Sequence, residues 1–592
     1  MTIYTSLPSP INHIPLGSLS ETAAVGTSAA CAAIAIEIKN LLERGPVVAA
    51  IDGGLGVPFQ PLAEEVLAHL PGVQAEIIDV RQALKTESEI ASMTAECLPP
   101  AGGWGRVFSG ALRDFFEPDK LAKVQTHLEN RSAALTLCIG PGAALSGLLE
   151  NCNLVIYADQ TRESLYNAHE GKSLPFFGVQ PGPASPDANL DRYCYVEGPA
   201  LDTHKRQVLS FISGYLSWNP PSESLYLPRR TYESLIARLS VGPMLFKTLY
   251  SPTAWGGNWQ KKLKGLPKEM PNSGQGWIVP NENSLLVDWG GEVMLDLPFL
   301  NLLWHASMPI LGDYAARVTG GNFPINYYYD DQIGGGHMAV QVHPDDFYMR
   351  AHFNEPMRQD ETYYILHTGP DAKTFIGLTD EADIPELRRQ AAESQITGQP
   401  FDYEKHIRSV ETEPGDFILI PAGTIHASGA EQMVLEIDWV ITSYTPGYTF
   451  HIYDYVRPGL HGDLRDIHIQ HSFAALKDRR KDGLANLKQS PAVIRQGEGW
   501  REVRIGRHPD MLFEVSRLEF EHEIGDRTEP EDSFHALSLV EGRQIEIIAN
   551  DSGQTAILNF PDTALLPASL HGYTLRSTDG QPCKVVKTIV CK

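Results

Sequence analysis

Cysteine is scarce in this chain of 592 residues. The seven cysteines are scattered, and no pair has the Cys-x-x-Cys spacing. Regularly spaced cysteines mark disulfide frameworks and zinc ribbons, so the sequence excludes both classes. An odd and dispersed number of cysteines is typical of free thiols in a reducing compartment. We therefore expect a cytoplasmic protein.

Long apolar runs are also missing. The most apolar early stretch, 29–38, is short and contains Glu37. No run reaches the ~20 apolar residues that a transmembrane helix needs. The N-terminus has neither the basic region nor the sustained apolar region of a signal peptide. These absences predict that the protein has no membrane partner.

Basic residues are outnumbered by acidic ones. The chain has 48 Lys and Arg against 73 Asp and Glu, which gives a formal net charge of −25. Binding to a nucleic-acid backbone requires clustered Lys and Arg, so we expect no nucleic-acid partner. A hydrophobic content of 42% is ordinary for a globular protein, and the length predicts two to four domains.

The first 240 residues have the pattern of a parallel α/β domain. Residues 1–27 are rich in Pro, Ser, Thr and Gly, and we expect a loosely held N-terminal arm there. A predicted helix at 29–42 is followed by a buried strand and a Gly-rich turn at 46–58, and then by another helix. Two further apolar runs, at 134–140 and 154–159, predict more buried strands.

The Gly-rich turn resembles the phosphate loop of the P-loop kinases of the uridine-kinase type. Such a loop presents backbone N–H groups at a helix start, where phosphate binds. Here Val57, Pro58 and Phe59 replace the Gly-Lys-Ser/Thr ending that would bind phosphate and magnesium. A later Gly-Lys-Ser at 171–173 is no substitute, because Tyr166 stands where the leading Gly belongs. We predict a degenerate P-loop kinase-like domain at 28–240 with a structural or interaction role.

A second pattern indicates a metal site. Gln341 and His343 follow an apolar run and lie two residues apart, so on a strand they face the same way. Glu361 begins another apolar run, and His426 ends the segment Ile-Pro-Ala-Gly-Thr-Ile-His. Two imidazoles, a carboxylate and an amide suit Zn²⁺ or another divalent metal, with room for a water or a substrate oxygen.

These motifs, with Leu-Glu-Ile and Tyr-Asp-Tyr following them in the same order, resemble type I phosphomannose isomerase. The resemblance covers about 255–455 and implies a metal-dependent aldose–ketose isomerase built on cupin (jelly-roll) barrels. It implies that Glu436 is an active-site residue. His451 stands where the family has an arginine, and we predict Glu436 and His451 as the catalytic residues, because a carboxylate or imidazole near the metal can move a proton between neighbouring carbons.

The resemblance also suggests the remaining architecture. We predict a metal-binding cupin domain at 241–475 with a small helical insertion near 385–392, and a second barrel without metal at 476–592. Its segment 565–571 echoes the segment that carries His426, but with the histidine displaced by one position, which turns it to the other strand face. We therefore interpret His535 and His571 as ordinary polar residues.

Three family positions that handle phosphate or the reacting sugar differ in this chain. Ala339, Tyr328 and His451 replace a serine, a lysine and an arginine, which removes charge-assisted hydrogen bonds to an anion. The substrate is thus a sugar or a sugar phosphate, with Tyr327 to Tyr329 as a predicted lining for a neutral sugar. Arg457 or Lys373 remain as cations that would restore anion binding.

Two other classes stay open at this stage. A metal-binding cupin joined to an inactive kinase domain would act as a non-catalytic sugar sensor or scaffold. Oxygen-dependent cupin chemistry is less favoured, because iron oxygenases use two histidines and a carboxylate without the glutamine.

Overall fold

A computed structural model of the protein describes residues 3–5, 9–100, 103–170, 176–177, 186–220, 222–356, 358–440, 448–460, 462–479 and 483–591. The Gly-Lys-Ser at 171–173 lies outside these residues. The described chain has an α/β part followed by two pairs of facing antiparallel sheets.

The N-terminal part is organised around a seven-stranded sheet. Its strands are, in spatial order, Ala24–Val25, Leu225–Pro228, Gly214–Ser217, Leu154–Asp159, Val47–Gly53, Leu135–Ile139 and Ala75–Asp79. The last five of these are parallel to one another. Leu225–Pro228 is antiparallel to both of its neighbours, Gly214–Ser217 and Ala24–Val25. The central strands are buried along their whole length, as expected for apolar strands covered on both faces. The predicted parallel α/β arrangement is confirmed.

Helices cover both faces of this sheet. They are Thr27–Leu42, Phe59–Ala68, Glu87–Thr94, Pro118–Glu129, Arg162–Glu170, Pro186–Arg192, Gly198–Val208 and Arg229–Leu239, with a π-helical turn at Tyr193–Glu197. Short 3₁₀ turns lie at Gly17–Thr22, Val80–Ala83, Leu112–Phe115 and Leu149–Asn151.

The first pair of antiparallel sheets carries the predicted metal ligands. The larger sheet has the strand order Tyr4–Thr5, Leu249–Ser251, Gln275–Ile278, Ile325–Asp331, Gln432–Trp439, Glu361–Thr368 and Phe417–Ile420. The smaller sheet has the order Ile407–Glu411, Lys373–Leu378, His426–Ser428, Val340–Val342 and Phe450–Tyr453. A separate hairpin pairs Ser284–Gly290 with Val293–Pro298 and lies outside both sheets.

The second pair of sheets is formed mainly by the last hundred residues. One sheet has the order Ala492–Gly497, Trp500–Arg507, Phe513–Phe520, Cys583–Val590, His535–Glu541, Thr563–Leu566 and Met244–Leu245. The other has the order Glu523–Arg527, Gly572–Ser577, Gln544–Ala549 and Thr555–Asn559. The remaining helices are Trp259–Leu263, Phe299–His305, Ser307–Leu311, Asp313–Thr319, Asp346–Phe353, Ile384–Thr397, Ile469–Ala475, Leu484–Leu487 and the 3₁₀ turn Ala568–Leu570.

Three short segments join the parts of the chain. Tyr4–Thr5 extends the larger metal-bearing sheet, although the sequence suggests a loose arm there. The buried Asn12 side chain donates to the carbonyl of Leu245 and accepts from its N–H, both at 2.8 Å. Met244–Leu245 in turn completes a sheet of the second pair by pairing with 564–565. Each pair of sheets therefore includes a short strand from a distant part of the sequence.

The helix in the insertion follows directly from local signals. Its first turn contains a proline, and the Asp383 side chain caps it by accepting from the N–H of Glu386. Gly398 ends it in the left-handed conformation that favours glycine. The helix spans Ile384–Thr397, which confirms the predicted element and extends it at its C-terminal end.

Candidate metal centre and substrate pocket

The structure brings the four predicted ligands together between the two sheets of the first pair. Gln341 and His426 are direct partners on neighbouring strands, and their Nε2 atoms lie 3.3 Å apart. Glu361 reaches across from the facing sheet. Its Oε2 lies 2.6 Å from His343 Nε2 and 3.0 Å from His426 Nε2. All four residues are buried.

Backbone carbonyls orient both imidazoles. His343 Nδ1 lies 3.3 Å from the carbonyl of Tyr448, and His426 Nδ1 lies 2.9 Å from the carbonyl of Thr424. A carbonyl can only accept, so each Nδ1 carries a proton, and each Nε2 faces Glu361. Metal-binding histidines are held by this same kind of outer hydrogen bond.

The donor atoms fit a divalent cation. Despite the short distances, neither carboxylate oxygen of Glu361 nor His343 Nε2 has a hydrogen-bond partner among the described residues. A buried polar atom without a partner is costly, and a metal ion at the point where these atoms converge would satisfy all of them. Burial acts to raise the pKa of Glu361, but the imidazoles of His426 and His343 outweigh it and hold the pKa well below its usual range.

Further carboxylates extend from the ligand set along the larger sheet. Glu436 faces the same way as Glu361, and donor atoms of Glu361, Glu436 and Asp438 lie within 4.8 Å of one another. Asp330, on the adjacent strand, accepts from Gln275 Nε2 at 2.9 Å. Burial, then the charge of Glu361, raises the pKa of both Glu436 and Asp438 well above the usual range. Burial also raises the pKa of Asp330, to about 7.

A cavity of about 730 Å³ opens onto these carboxylates. This volume lies within the roughly 300–1,000 Å³ usual for ligand sites and accommodates a hexose. Its described lining residues are Gly103, Trp104, Leu190, Asp191, Cys194, Tyr195, Pro252, Thr253, Ala254, Trp255, Gln275, Tyr328, Met338, Ala339, Gln341, Gln359, Glu436, Asp438, Thr449, His451, Gly459, Leu460, Asp463, Leu464, Arg465, Asp466 and His468. The cavity therefore contains one predicted metal ligand and both predicted catalytic residues.

His451 lies on the strand next to Gln341 and lines this cavity. Its Nδ1 lies 3.4 Å from the carbonyl of Asp466, and its Nε2 lies 3.3 Å from Arg465. Burial, and then the Arg465 charge, hold the pKa of His451 well below the usual range. The imidazole is therefore neutral and can form hydrogen bonds with a sugar hydroxyl.

Two predictions about the lining are wrong. Tyr327, Tyr328 and Tyr329 do not line the cavity together, because successive residues of a strand point to opposite faces. Tyr328 faces the cavity, whereas the Tyr329 hydroxyl contacts Thr563 in the second pair of sheets at 2.7 Å. The second wrong prediction is that Arg457 or Lys373 supplies a cation to the cavity. Arg457 binds Asp454, Lys373 binds Glu404, and neither is among the described lining residues.

Sequence reasoning missed several lining residues. Arg465 is the one arginine or lysine in the described lining, and it also lies 3.2 Å from Asp454. It belongs to an irregular segment with no sequence signal. Asp330, which belongs to the carboxylate cluster and not to the described lining, was detectable, because it lies two residues after Tyr328 and so points to the same face. Trp104 comes from the N-terminal part and was not detectable from the motifs.

In the N-terminal part, side chains occupy the Gly-rich turn. The N–H of Gly56 donates to Gln160 Oε1 at 3.0 Å. The Asp52 carboxylate accepts from the N–H of Gly142, from that of Ala144 and from His204, all within 3.0 Å. Backbone N–H groups that a phosphate would use are thus already bonded within the chain.

The second pair of sheets has a different polar interior. Lys587 Nζ lies 2.7 Å from both Asp526 and Glu502, and His535 Nδ1 lies 2.9 Å from the Tyr573 hydroxyl. Burial and the Lys587 charge lower the pKa of His535 to about 3. His571 lines a different cavity, which is open to solvent. The described helices of the protein are all too short or too polar to cross a membrane.

Comparison with known proteins divides the chain in two. Residues 29–240 match a family model described as a domain of unknown function, DUF8485. The rest is distantly homologous to mannose-6-phosphate isomerases, at low identity over about 57% of the chain. It is 26% identical over 242 residues to mannose-6-phosphate isomerase ManA of Bacillus subtilis, covering 40% of this chain and 69% of that protein. The chain is also 23% identical over 347 residues to the Bacillus subtilis protein named 'Putative mannose-6-phosphate isomerase YvyI'. This match covers 57% of this chain and 98% of that protein.

Solved structures show a similar spread of coverage. The crystal structure of mannose 6-phosphate isomerase from Bacillus subtilis aligns with a TM-score of 0.46 at 21% identity, over 59% of this chain and 100% of that one. A mannose 6-phosphate isomerase bound with zinc and yttrium aligns with a TM-score of 0.43 at 13% identity, over 60% of this chain and 100% of that one.

Proposed function

We propose that the protein is a metal-dependent aldose–ketose isomerase that acts on a non-phosphorylated hexose. The observation that carries this proposal is one cavity that contains both Gln341 of the converging ligand set and the carboxylate of Glu436. The distant homology to mannose-6-phosphate isomerases supports the reaction class.

Gln341, His343, Glu361 and His426 would hold the metal. A zinc ion bound there would supply positive charge that polarises the carbonyl group of the sugar. Glu436 is the side chain that moves the carbon-bound proton: in its ionised form it takes a proton from C2 of the aldose and returns it to C1, while the proton of the C2 hydroxyl is transferred to the C1 oxygen, which converts the enediol to the ketose. His451, held neutral, binds a hydroxyl near the reacting carbons.

The charges around the cavity favour a neutral sugar. Besides Glu436 and Asp438, whose pKa values are raised, the carboxylates of Asp191, Asp463 and Asp466 line it. Arg465 is the only guanidinium or ammonium in the described lining, and it is partly neutralised by Asp454. A phosphate group would meet mostly like charge, whereas carboxylates accept hydrogen bonds from sugar hydroxyls.

We infer that the N-terminal domain does not bind nucleotide. Gln160 and Asp52 already accept from the backbone groups of the Gly-rich turn and its neighbour, and Val57 to Phe59 lack the lysine and hydroxyl of an active phosphate loop. Its role is then structural, as part of the enzyme.

The test compares mannose, other free hexoses and mannose 6-phosphate in one coupled assay with zinc present. We expect turnover of a free hexose and a kcat/KM for mannose 6-phosphate at least tenfold lower, about 1.4 kcal/mol. Efficient turnover of mannose 6-phosphate alone would contradict the assignment of a neutral substrate. Exchange of the C2 proton in deuterated water is the second readout, because a non-catalytic sugar sensor would bind without exchange.

A further inference from the structure

The substrate cavity is not built from the isomerase-like sheets alone. Gly103, Trp104, Asp191, Cys194 and Tyr195 line it, and all of them belong to the region that matches the domain of unknown function. The same cavity contains Gln341 and Glu436 of the candidate reaction centre. One ligand in this cavity would therefore contact both parts of the protein.

The segment that carries Trp104 is fixed to both parts. The N–H of Val107 donates to the carbonyl of Phe353 at 3.0 Å, and the N–H of Phe108 donates to the carbonyl of Tyr195 at 2.8 Å. The Asn354 side chain donates to the carbonyl of Val107 at 3.1 Å. These bonds tie the wall of the N-terminal domain to the helix that follows His343.

Trp104 itself is anchored at the candidate metal centre. Its ring packs 5.2 Å from that of Tyr448, whose carbonyl orients His343. It also lies 5.8 Å from the ring of His468, another lining residue. The indole N–H is buried and has no hydrogen-bond partner among the described residues, so the ring contributes its face and edge to the lining.

The other half of this wall is an irregular helical segment. Asp191 lies in the last turn of the short helix Pro186–Arg192, and Cys194 and Tyr195 lie on the π-helical turn Tyr193–Glu197 that continues it. Single π-helical turns are frequent at functional sites, because the extra residue shifts neighbouring side chains out of helical register. Here the turn lies beside the cavity, with Asp191 contributing a carboxylate to its lining.

We propose that the N-terminal domain forms one wall of the sugar site, with Trp104 as a platform for a neutral hexose and Asp191 as a hydroxyl acceptor that rejects a phosphorylated sugar. An aromatic ring packs well against the apolar C–H face of a sugar. A carboxylate accepts from hydroxyls and repels a phosphate dianion. This inference rests on the proposed function, because it assigns the substrate class of the same cavity.

The experiment measures binding and needs no turnover. Mannitol and mannitol 6-phosphate, which cannot isomerise, are titrated by calorimetry into the zinc-loaded full-length protein. Trp104→Ala should raise the Kd for mannitol about tenfold, and Trp104→Phe should raise it less. Asp191→Asn should weaken mannitol binding and lower the Kd ratio of mannitol 6-phosphate to mannitol about threefold or more.

Two matched variants control for general damage. Phe211→Ala removes an aromatic side chain of the same domain that is 57% exposed and lies outside the cavity. Asp380→Asn repeats the charge change at a side chain that is 90% exposed. Both should leave mannitol binding unchanged. Zinc content and Tm are recorded for every variant, which separates loss of the wall from loss of the fold.

The possible outcomes are distinct. Unchanged mannitol affinity in both Trp104→Ala and Asp191→Asn would overturn the proposed wall while leaving the proposed isomerase intact. Weaker binding in Phe211→Ala to the same extent would overturn it as well. A wild-type protein that binds neither hexitol would overturn the sugar site as a whole. A protein that binds mannitol with the predicted variant pattern but shows no C2 proton exchange would retain the wall and refute only the isomerase.

Discussion

Replacing Glu361 by glutamine tests whether its carboxylate serves a metal ion or the fold. The substitution keeps the shape of the side chain and removes the one negative charge of the candidate ligand set. Loss of an outer-shell partner costs about 10–100-fold in metal affinity, so loss of this direct ligand should cost at least about a hundredfold. That factor corresponds to about 2.7 kcal/mol.

The consequence for stability depends on zinc. At free zinc one hundred times the wild-type Kd, mass action adds about 2.7 kcal/mol to wild-type stability, but only about 0.4 kcal/mol to a variant that binds a hundredfold more weakly. The zinc-induced rise in Tm should be about seven times smaller in Glu361→Gln. Without zinc the variant should lose only the interaction of the Glu361 carboxylate with His343 and His426, so its loss of stability should be smaller than the loss with zinc.

Glu502→Gln is the matched control in the other pair of sheets. Glu502 is equally a buried glutamate, but Lys587, a permanent cation, lies 2.7 Å from it. Its substitution should cost about 1–3 kcal/mol with or without zinc, because it weakens a charged hydrogen bond. The assay is differential scanning fluorimetry with zinc buffered at fixed free concentrations. An equal loss of stability in Glu361→Gln with and without zinc would refute the metal assignment and leave Glu361 as a structural carboxylate.

Three other predictions follow from the same structure. Glu436→Gln should lower C2 proton exchange by about 10²–10⁴-fold with zinc content unchanged, measured by NMR in deuterated water; exchange at the wild-type rate would exclude Glu436 as the base. Magnesium with ATP or GTP should leave Tm unchanged, because Gln160 occupies an N–H of the Gly-rich turn and Asp52 occupies one of the neighbouring loop, and a nucleotide-induced rise would contradict this reasoning. Burial acts to raise the pKa of Asp526, but the charge and hydrogen bond of Lys587, together with the charge of Arg495, outweigh it and hold the pKa below its usual value. The resulting stabilisation is complete above the ordinary pKa of an aspartate and is lost as the pH falls through the lower pKa of Asp526 in the folded protein. Asp526→Asn should therefore flatten the dependence of Tm on pH below about 4. An unchanged slope would show that the Asp526–Lys587 ion pair contributes nothing.

The metal ligands were predictable because local rules determine most of their placement. Strand alternation puts Gln341 and His343 on one face, and a tight turn ahead of His426 returns the chain to the neighbouring strand. The same alternation should have separated Tyr328 from its neighbours, and it shows that Asp330 shares its face. These parts of the site depend on spacing within single strands.

The rest of the site depends on contacts between distant segments. Trp104 reaches the cavity through the packing of one domain against another, and no periodicity near it records this contact. Arg465 lies in an irregular segment, where side-chain direction follows from the surroundings and not from a repeat. The predicted domain boundary near residue 240 also depends on distant contacts. The sequence pattern changes there, yet Met244–Leu245 pairs with a strand of a sheet that is otherwise formed by residues beyond 490. Such pairings arise from the global fold.

The most direct test of the central claim is a crystal structure of the zinc-loaded protein with diffraction data on both sides of the zinc absorption edge. We predict one strong anomalous peak per chain, about 2.0–2.2 Å from an oxygen of Glu361, from Nε2 of His343 and His426, and from the amide oxygen of Gln341. Absence of a peak at this position, or a peak bound by other residues, would contradict the account.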